Sequence, residues 1–139
     1  MTVEEAVLDH LLATSAVTAL VGTRIYQLVL PEHPTLPAIR VQLVDEPEDY
    51  HLRGNVDLTY ARVQVDSYAR KVSGGDPYLS AVTIAAAAND ALTVEGWSVG
   101  SPPRVVAGVF RIIRRTLFES EELQLVRVWQ DYLVISAQH

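Results

Sequence analysis

The chain has 139 residues, 49% of them hydrophobic and 20% charged, which suits one globular domain with a core and excludes a disordered chain. It has no cysteine, so disulfides, thiolate metal ligands and a cysteine nucleophile are excluded. The formal net charge of −6 argues against a protein whose main role is to hold nucleic acid, because such proteins present a basic face.

No signal peptide or membrane segment is expected. The first residues include Glu4, Glu5 and Asp9 and lack the basic region that precedes the apolar core of a secretory signal. No apolar run approaches the roughly 20 residues that a membrane helix needs. We therefore expect a soluble protein that is made in the cytoplasm and does not bind membranes.

Residues 2–44 predict a helix, a short helical turn and two strands. Thr2-Val-Glu-Glu5 is a capping box, which starts a helix that runs to about Ala13. A second, short turn ends at Gly22. Residues 24–30 predict a short strand or extended segment. Three prolines interrupt the loop that follows, and residues 38–44 alternate between apolar and polar, as a half-buried strand does.

Residues 58–92 predict the centre of the fold as a strand, a tight turn and a helix. From Leu58 to Ala69 apolar and polar residues alternate with a period of two, which is typical of a strand with one dry face. Two glycines then interrupt the strand, Asp76 can cap a helix, and Pro77 suits the first helical position. The helix from Tyr78 to Leu92 has an alanine-rich centre, which lets it lie close to a sheet.

Two long apolar segments, Val105 to Glu119 and Leu123 to Ala137, flank an acidic turn and predict an antiparallel hairpin. The second segment is apolar on both faces, so it is expected to be covered on two sides, and a neighbouring subunit is one candidate for the second cover. The stretch from Val94 to Pro103 predicts irregular structure, and Tyr50 to Asp57 predicts a mobile polar loop. The expected fold is α+β, with an antiparallel four- to five-stranded sheet, helices packed on one face, and residues 1–139 forming a single domain.

No catalytic, metal or cofactor site is predicted. The four histidines show none of the spacings of metal motifs; they are His10, His33, His51 and His139. The glycine turn at residues 73–76 lacks the Lys-Ser/Thr ending of a phosphate loop, and its aspartate would repel a phosphate. The acidic clusters lie in predicted turns, where carboxylates are solvated and lack the burial that catalysis requires. We therefore expect a protein that is not an enzyme.

Arginine and acidic clusters are the candidate contact residues. In a regular strand Arg111 and Arg115 share one face and Arg114 takes the other. They either are solvated arginines that offset nearby glutamates or form an interface set that meets acids on another copy, and the two interpretations are about even. Trp129 is a core or subunit-contact residue. The candidate acidic contacts form two turns, and they are Asp45, Glu46, Glu48 and Asp49, and Glu119, Glu121 and Glu122.

The order of short segments along nearly the whole chain resembles the tail-completion, or tail-terminator, proteins of long-tailed bacteriophages. The matching stretches are Ala19-Leu-Val-Gly-Thr-Arg-Ile-Tyr26, Leu36-Pro-Ala-Ile-Arg-Val-Gln42, Ala61-Arg-Val-Gln-Val-Asp-Ser-Tyr68, the helix after Gly75, and the two closing strands with Trp129. Relatives of this family also occur in prophages and gene transfer agents.

The resemblance implies a structural virion protein of the tail and neck. Such a subunit forms a hexameric ring, caps the tail tube and joins it to the head–neck connector, while DNA passes through the lumen without specific binding. The acidic composition suits this passage, because negative walls repel phosphates. We expect one of the two acidic turns to face the lumen or a partner ring. The alternative is a small α+β ligand-binding or regulatory module without catalytic activity, and a weaker third option is an enzyme with a site assembled only in space.

Overall fold

The computed structural model describes residues 2–46, 50–51, 54–55, 59–70, 76–100, 103–120 and 124–138. Its helices are α1 (Val3–Leu12), α2 (Ser15–Val21) and α3 (Pro77–Leu92). Its strands are β1 (Ile25–Gln27), β2 (Ala38–Asp45), β3 (Tyr50–His51), β4 (Gly54–Asn55), β5 (Thr59–Arg70), β6 (Trp97–Val99), β7 (Arg104–Ser120) and β8 (Leu125–Gln138).

Six of these strands form one sheet in the order β1-β2-β5-β8-β7-β6. Strand β1 runs parallel to β2, and the other neighbouring pairs are antiparallel. The α+β class is confirmed, whereas the expectation of four to five antiparallel strands is wrong. Strand β6 lies inside the stretch predicted to be irregular, and three residues are too few for a periodic signal. The parallel pair arises because the proline-rich loop of residues 28–37 returns the chain before β2 begins.

At the centre of the fold the predicted strand and helix are confirmed as β5 and α3, while residues 71–75 of the predicted turn lie outside the described residues. Asp76 caps α3 by accepting hydrogen bonds from the backbone N–H of Tyr78 at 3.0 Å and of Leu79 at 3.4 Å. Buried alanines recur at helical spacing along α3, at positions 81, 85 and 88. Because their side chains are small, α3 can pack directly against β5 and β8, which occupy the middle of the sheet.

Helices α1 and α2 pack beside α3 on the same face of the sheet. The capping box of α1 is present, with the Thr2 hydroxyl accepting from the Glu5 N–H at 3.2 Å. His10 of α1 stacks on Trp97 of β6, with the two ring centroids 4.0 Å apart, and its Nε2 lies 2.8 Å from the carbonyl oxygen of Ala91. One core therefore joins all three helices to the sheet. Its members include Val3, Val7, Leu11, Val17, Val21, Ile39, Val41, Val63, Val65, Ile84, Tyr132 and Val134.

Strand β7 is longer than the strand with which it pairs. It has 17 residues against the 14 of β8, and three register shifts lie between Val106 and Gly108, between Arg111 and Ile113, and between Phe118 and Ser120. Each shift is a β-bulge, in which one extra residue of β7 lies opposite a single step of β8. The bulges therefore account for the difference in length and bend the strand.

The polar loop predicted from Tyr50 to Asp57 contains a short ladder. Tyr50 pairs with Asn55 and His51 with Gly54, while residues 52–53 and 56–57 lie outside the described part of the chain. Within the described residues, no helix is both long and apolar enough to cross a membrane.

Candidate functional site

The face of the sheet opposite the helices carries a network of ion pairs. Arg40 Nε donates to Asp66 Oδ2 at 3.1 Å, which links β2 to β5. An Arg62 guanidinium nitrogen donates to Asp131 Oδ2 at 2.8 Å, which links β5 to β8. Both aspartates are buried, so their charges need these partners. This polar face is therefore closed by contacts within the chain.

Trp129 joins this network. Its indole Nε1–H donates to Asp131 Oδ1 at 2.7 Å, and the guanidinium of Arg115 lies 5.6 Å from its ring centroid. The side chain is half-buried. Trp129 thus lies on the polar face, opposite Arg115 of β7. Whether it is a core residue or a subunit-contact residue stays a prediction.

Glu119 is paired within the chain. Its Oε1 lies 2.9 Å from Arg127 Nε, and another guanidinium nitrogen of Arg127 donates to the Tyr68 hydroxyl at 3.4 Å. Burial lowers the pKa of Arg127, but the hydrogen bond to Tyr68 and the negative charges of Asp66 and Glu119 outweigh burial and raise the pKa overall. Glu119 therefore faces a permanent cation of its own chain.

The outer part of β7 is the most exposed apolar strand surface in the described part of the chain. Strand β6 pairs only with residues 104–106 of β7, so residues 107–120 have β8 on one side and no described strand on the other. Phe110 is 58% exposed and Ile112 is 53% exposed. We define the β7 surface as Phe110, Arg111, Ile112, Arg114, Arg115 and Phe118, all of which are exposed.

The predicted distribution of the three arginines is wrong. Arg111 lies opposite Tyr132 and Arg114 opposite Gln130, two residues apart on β8, so Arg111 and Arg114 share a face; Arg115 lies opposite Trp129 on the other face. The reason is the bulge between Arg111 and Ile113, which strict alternation cannot anticipate. Arg111 also donates a hydrogen bond to Gln130 Oε1 at 3.1 Å, as the shared face requires.

The acidic turn after β2 is described only in part. Asp45 and Glu46 are exposed and form no ion pair with a described residue, whereas Glu48 and Asp49 lie outside the described residues. Glu121 and Glu122 of the second acidic turn also lie outside them. The predicted acidic contacts therefore reduce to two free carboxylates at the end of β2 and one paired carboxylate, Glu119, on β7.

A second set of exposed apolar residues, which sequence reasoning missed, lies around the part of β2 that β1 leaves uncovered. Strand β1 pairs with β2 only as far as Val41, so residues 42–45 of β2 have β5 as their one described neighbour. We define the β2 edge as Leu28, Val29, Val44, Asp45 and Glu46, all of which are exposed. Leu28 has a φ of 68°, which ends β1 and turns the chain away from β2. A signal for it was available in Leu28 and Val29, which continue an apolar run beyond the strand.

A cleft of about 380 Å³ lies between α2, the start of α3 and the end of β5. Leucines line much of it, and its polar lining includes Arg70, Asp76 and Thr83. Asp76 is engaged in capping α3, and the Thr83 hydroxyl donates to the Leu79 carbonyl at 2.7 Å. These groups are committed to α3, so the cleft offers a ligand fewer polar contacts than its lining suggests.

The described residues include no cluster of three or more histidines and carboxylates that could hold a metal ion. The structure is an α+β fold with two main exposed surfaces, the β2 edge and the β7 surface, and each combines apolar and charged side chains. These are the kinds of surface through which protein subunits contact one another.

The sequence matches the family described as tail completion protein gp17 over residues 5–136. The chain therefore belongs to this family, and the resemblance inferred from the short segments is confirmed. Proteins of the family are structural components of bacteriophage tails.

A solved structure shares the fold. A chain of the virion of a native gene transfer agent particle aligns with a TM-score of 0.63 and 22% sequence identity, over 98% of this chain and 92% of that chain. No curated protein matches the sequence significantly.

Proposed function

We propose that this protein is a tail terminator subunit. In this proposal copies of the chain form a hexameric ring that caps the tail tube, stops its growth and joins it to the head–neck connector. The match to the tail completion family over residues 5–136 carries the proposal. A structural role without catalysis, and a place in the tail and neck of a virion assembled from protein made in the host cytoplasm, belong to the same proposal.

Two observations support a ring, one from the sheet of this chain and one from a chain with the same fold. Its sheet has open edges at opposite ends of the strand order, and head-to-tail contacts between different surfaces are the kind that generate rings. The aligned chain of the gene transfer agent belongs to an assembled virion, which fits a part in a larger particle.

The net charge of −6 supports passage of DNA without binding, because an acidic lumen repels the phosphate backbone. That an acidic turn faces the lumen or a partner ring stays a prediction. Reversing its charges to lysine should leave the fold intact and impair assembly or DNA delivery, and unchanged assembly and delivery would refute it.

The cleft near α3 favours a second candidate, a small ligand-binding or regulatory module. Such a module would stay a monomer or dimer and would ignore tail-tube protein. Two of the four polar residues that line the cleft, Asp76 and Thr83, are engaged within α3, so we rank this candidate below the terminator.

Negative-stain imaging and light scattering across a concentration series test the proposal, both alone and with the tail-tube protein encoded by the same phage or prophage. We expect rings with a central hole, alone or on the ends of tubes, and shorter tubes when the protein is present. A protein that neither forms rings nor binds tube ends, and that leaves tube length unchanged, would refute the proposal.

A further inference from the structure

The two open edges of the sheet lie at the same level along the strands. Asp45 pairs with Arg62, Arg62 with Leu133, and Leu133 with Phe110, so one line of paired residues crosses the sheet from the β2 edge to the β7 surface. The next line runs from Leu43 through Val63 and Tyr132 to Arg111. At the level of Phe110 and Arg111 the two edges therefore lie at one height on opposite sides of the molecule, whereas Arg114 and Arg115 lie level with the covered part of β2.

Strand direction is also compatible with a repeat of this chain. Strands β2 and β7 run in opposite directions, because three antiparallel pairings separate them. A second copy in the same orientation would therefore place its β2 antiparallel to β7 of the first. A contact at one height between copies of one orientation has no step along the strands, so copies whose strands run along the ring axis can close a ring instead of growing into a filament.

The two surfaces have complementary chemistry. The β7 surface combines exposed aromatic and aliphatic side chains with three arginines, of which Arg114 makes no hydrogen bond or ion pair with a described residue. The β2 edge combines Leu28, at 57% exposure, and Val29, at 69%, with the free carboxylates of Asp45 and Glu46. Apolar groups can therefore bury one another, while Arg111, the arginine nearest to this level, meets a carboxylate at the end of β2.

The opposite arrangement, in which two β7 surfaces meet about a two-fold axis, is disfavoured by charge. It would place the arginines of one copy against those of the other, and like charges directly opposite each other destabilise a strand pair. The difference between the two edges therefore selects a head-to-tail contact over a symmetric dimer.

We propose that the β7 surface of one copy docks on the β2 edge of the next and extends the sheet across the subunit boundary. The inference deepens the proposed function and rests on it, because it names the contact that would close the terminator ring. The shorter edge limits the paired length: at about 3.3 Å per residue, residues 42–45 of β2 offer about 13 Å, so exposed side chains around both edges must supply the rest of the contact.

The absence of cysteine makes a direct test possible. A variant that carries both Ile112→Cys and Val44→Cys should form intermolecular disulfides on mild oxidation and give a ladder of covalent multimers that ends at the number of copies in the ring. The matched control carries Val94→Cys with Val44→Cys, since Val94 is also an exposed apolar residue but lies beyond the end of α3. It should stay uncrosslinked. Far-UV circular dichroism verifies that each variant is folded.

The single variant Ile112→Cys separates the two arrangements. It should give no disulfide dimer, whereas the mixture of Ile112→Cys with Val44→Cys should give one. A dimer of Ile112→Cys alone would overturn the inference in favour of the symmetric contact.

Charge reversal gives a second, independent test of the contact between the β7 surface and the β2 edge. Arg111→Glu changes the arginine nearest to the level of the β2 edge and should lower crosslinking between positions 112 and 44 by about threefold, and adding Glu46→Arg to the same chain should restore it. Adding Asp90→Arg to Arg111→Glu instead makes the same acid-to-arginine change on an exposed site near the end of α3 and should not restore crosslinking. Equal crosslinking in all three variants would overturn the inference.

Imaging of the same samples distinguishes failure of the contact from failure of the function. Rings without the 112–44 crosslink would refute the contact and leave the terminator role intact. Crosslinked open chains, with no rings even when tail-tube protein is added, would support the contact and refute the ring. Samples with neither rings nor crosslinks would refute both.

Discussion

Strands β5 and β7 are both long and rich in apolar residues, yet they lie in different surroundings. Strand β5 has a neighbour on each side and α3 against one face, and its Ala61, Val63 and Val65 are fully buried. Strand β7 has one described neighbour along most of its length, and beyond Val109 its apolar side chains are exposed except for the half-buried Leu117. An apolar pattern thus indicates that a surface needs a cover, but it does not say whether the same chain supplies it.

A matched pair of isoleucines gives the largest expected difference. Ile39 on β2 is fully buried, whereas Ile112 on β7 is more than half exposed. Ile39→Ala should lower the free energy of unfolding by about 2–5 kcal/mol through lost burial and a cavity. Ile112→Ala should change it by no more than about 0.5 kcal/mol. Urea unfolding of the isolated protein measures both values, and equal losses would show that β7 is covered within the chain.

A matched pair of acids gives a smaller difference. Asp66 is fully buried against Arg40, whereas Glu119 on β7 is 35% exposed beside Arg127. Asp66→Ala leaves a half-buried arginine uncompensated and should cost about 3 kcal/mol of stability. Glu119→Ala should cost no more than about 1 kcal/mol because water screens the pair. Chemical unfolding with Asp66→Asn as a size control measures them, and a larger loss at Glu119 would reverse our ranking of the two regions.

The smallest expected effect lies on the boundary between the regions. Tyr132 packs in the core and donates to Asn89 Oδ1 at 3.1 Å, and burial raises the pKa of its phenol. In the unfolded chain the phenol loses its proton near pH 10, while the folded chain keeps it, so stability should fall as the pH rises above about 10.

Tyr132→Phe should remove this contribution and cost about 1 kcal/mol at neutral pH, where Asn89 loses its donor. The measurement is the melting temperature of both proteins between pH 7 and pH 11. Alkaline slopes of the same size in the two proteins would mean that Tyr132 does not carry the effect.

Much of the centre of the fold could be predicted from the sequence. The capping box at Thr2, the cap at Asp76 and the alternation of β5 are local signals, and each appears in the structure where it was expected. The second closing segment is expected to be apolar on both faces, and β8 places Val128 and Tyr132 on the helix side and Trp129 and Leu133 on the other.

Other parts depend on information that local patterns lack. The parallel pairing of β1 and the short β6 follow from where the chain returns in space, and the faces of the arginines follow from a bulge. The candidate surfaces were found only in part. Arg114 and Asp45 were named from charge, but Leu28 and Val29 were missed because an isolated pattern cannot show which apolar residues stay exposed.

The bulges of β7 have a consequence for how such a protein can evolve. A residue at a bulge lies outside the ladder, so its loss or gain leaves the pairings above and below it unchanged. Insertions and deletions of a single residue, which in β5 would turn the buried side chains outward, can therefore accumulate in β7 without disturbing the core. Lineages can adjust the bend of this strand in single-residue steps, while the rest of the domain keeps its sequence pattern.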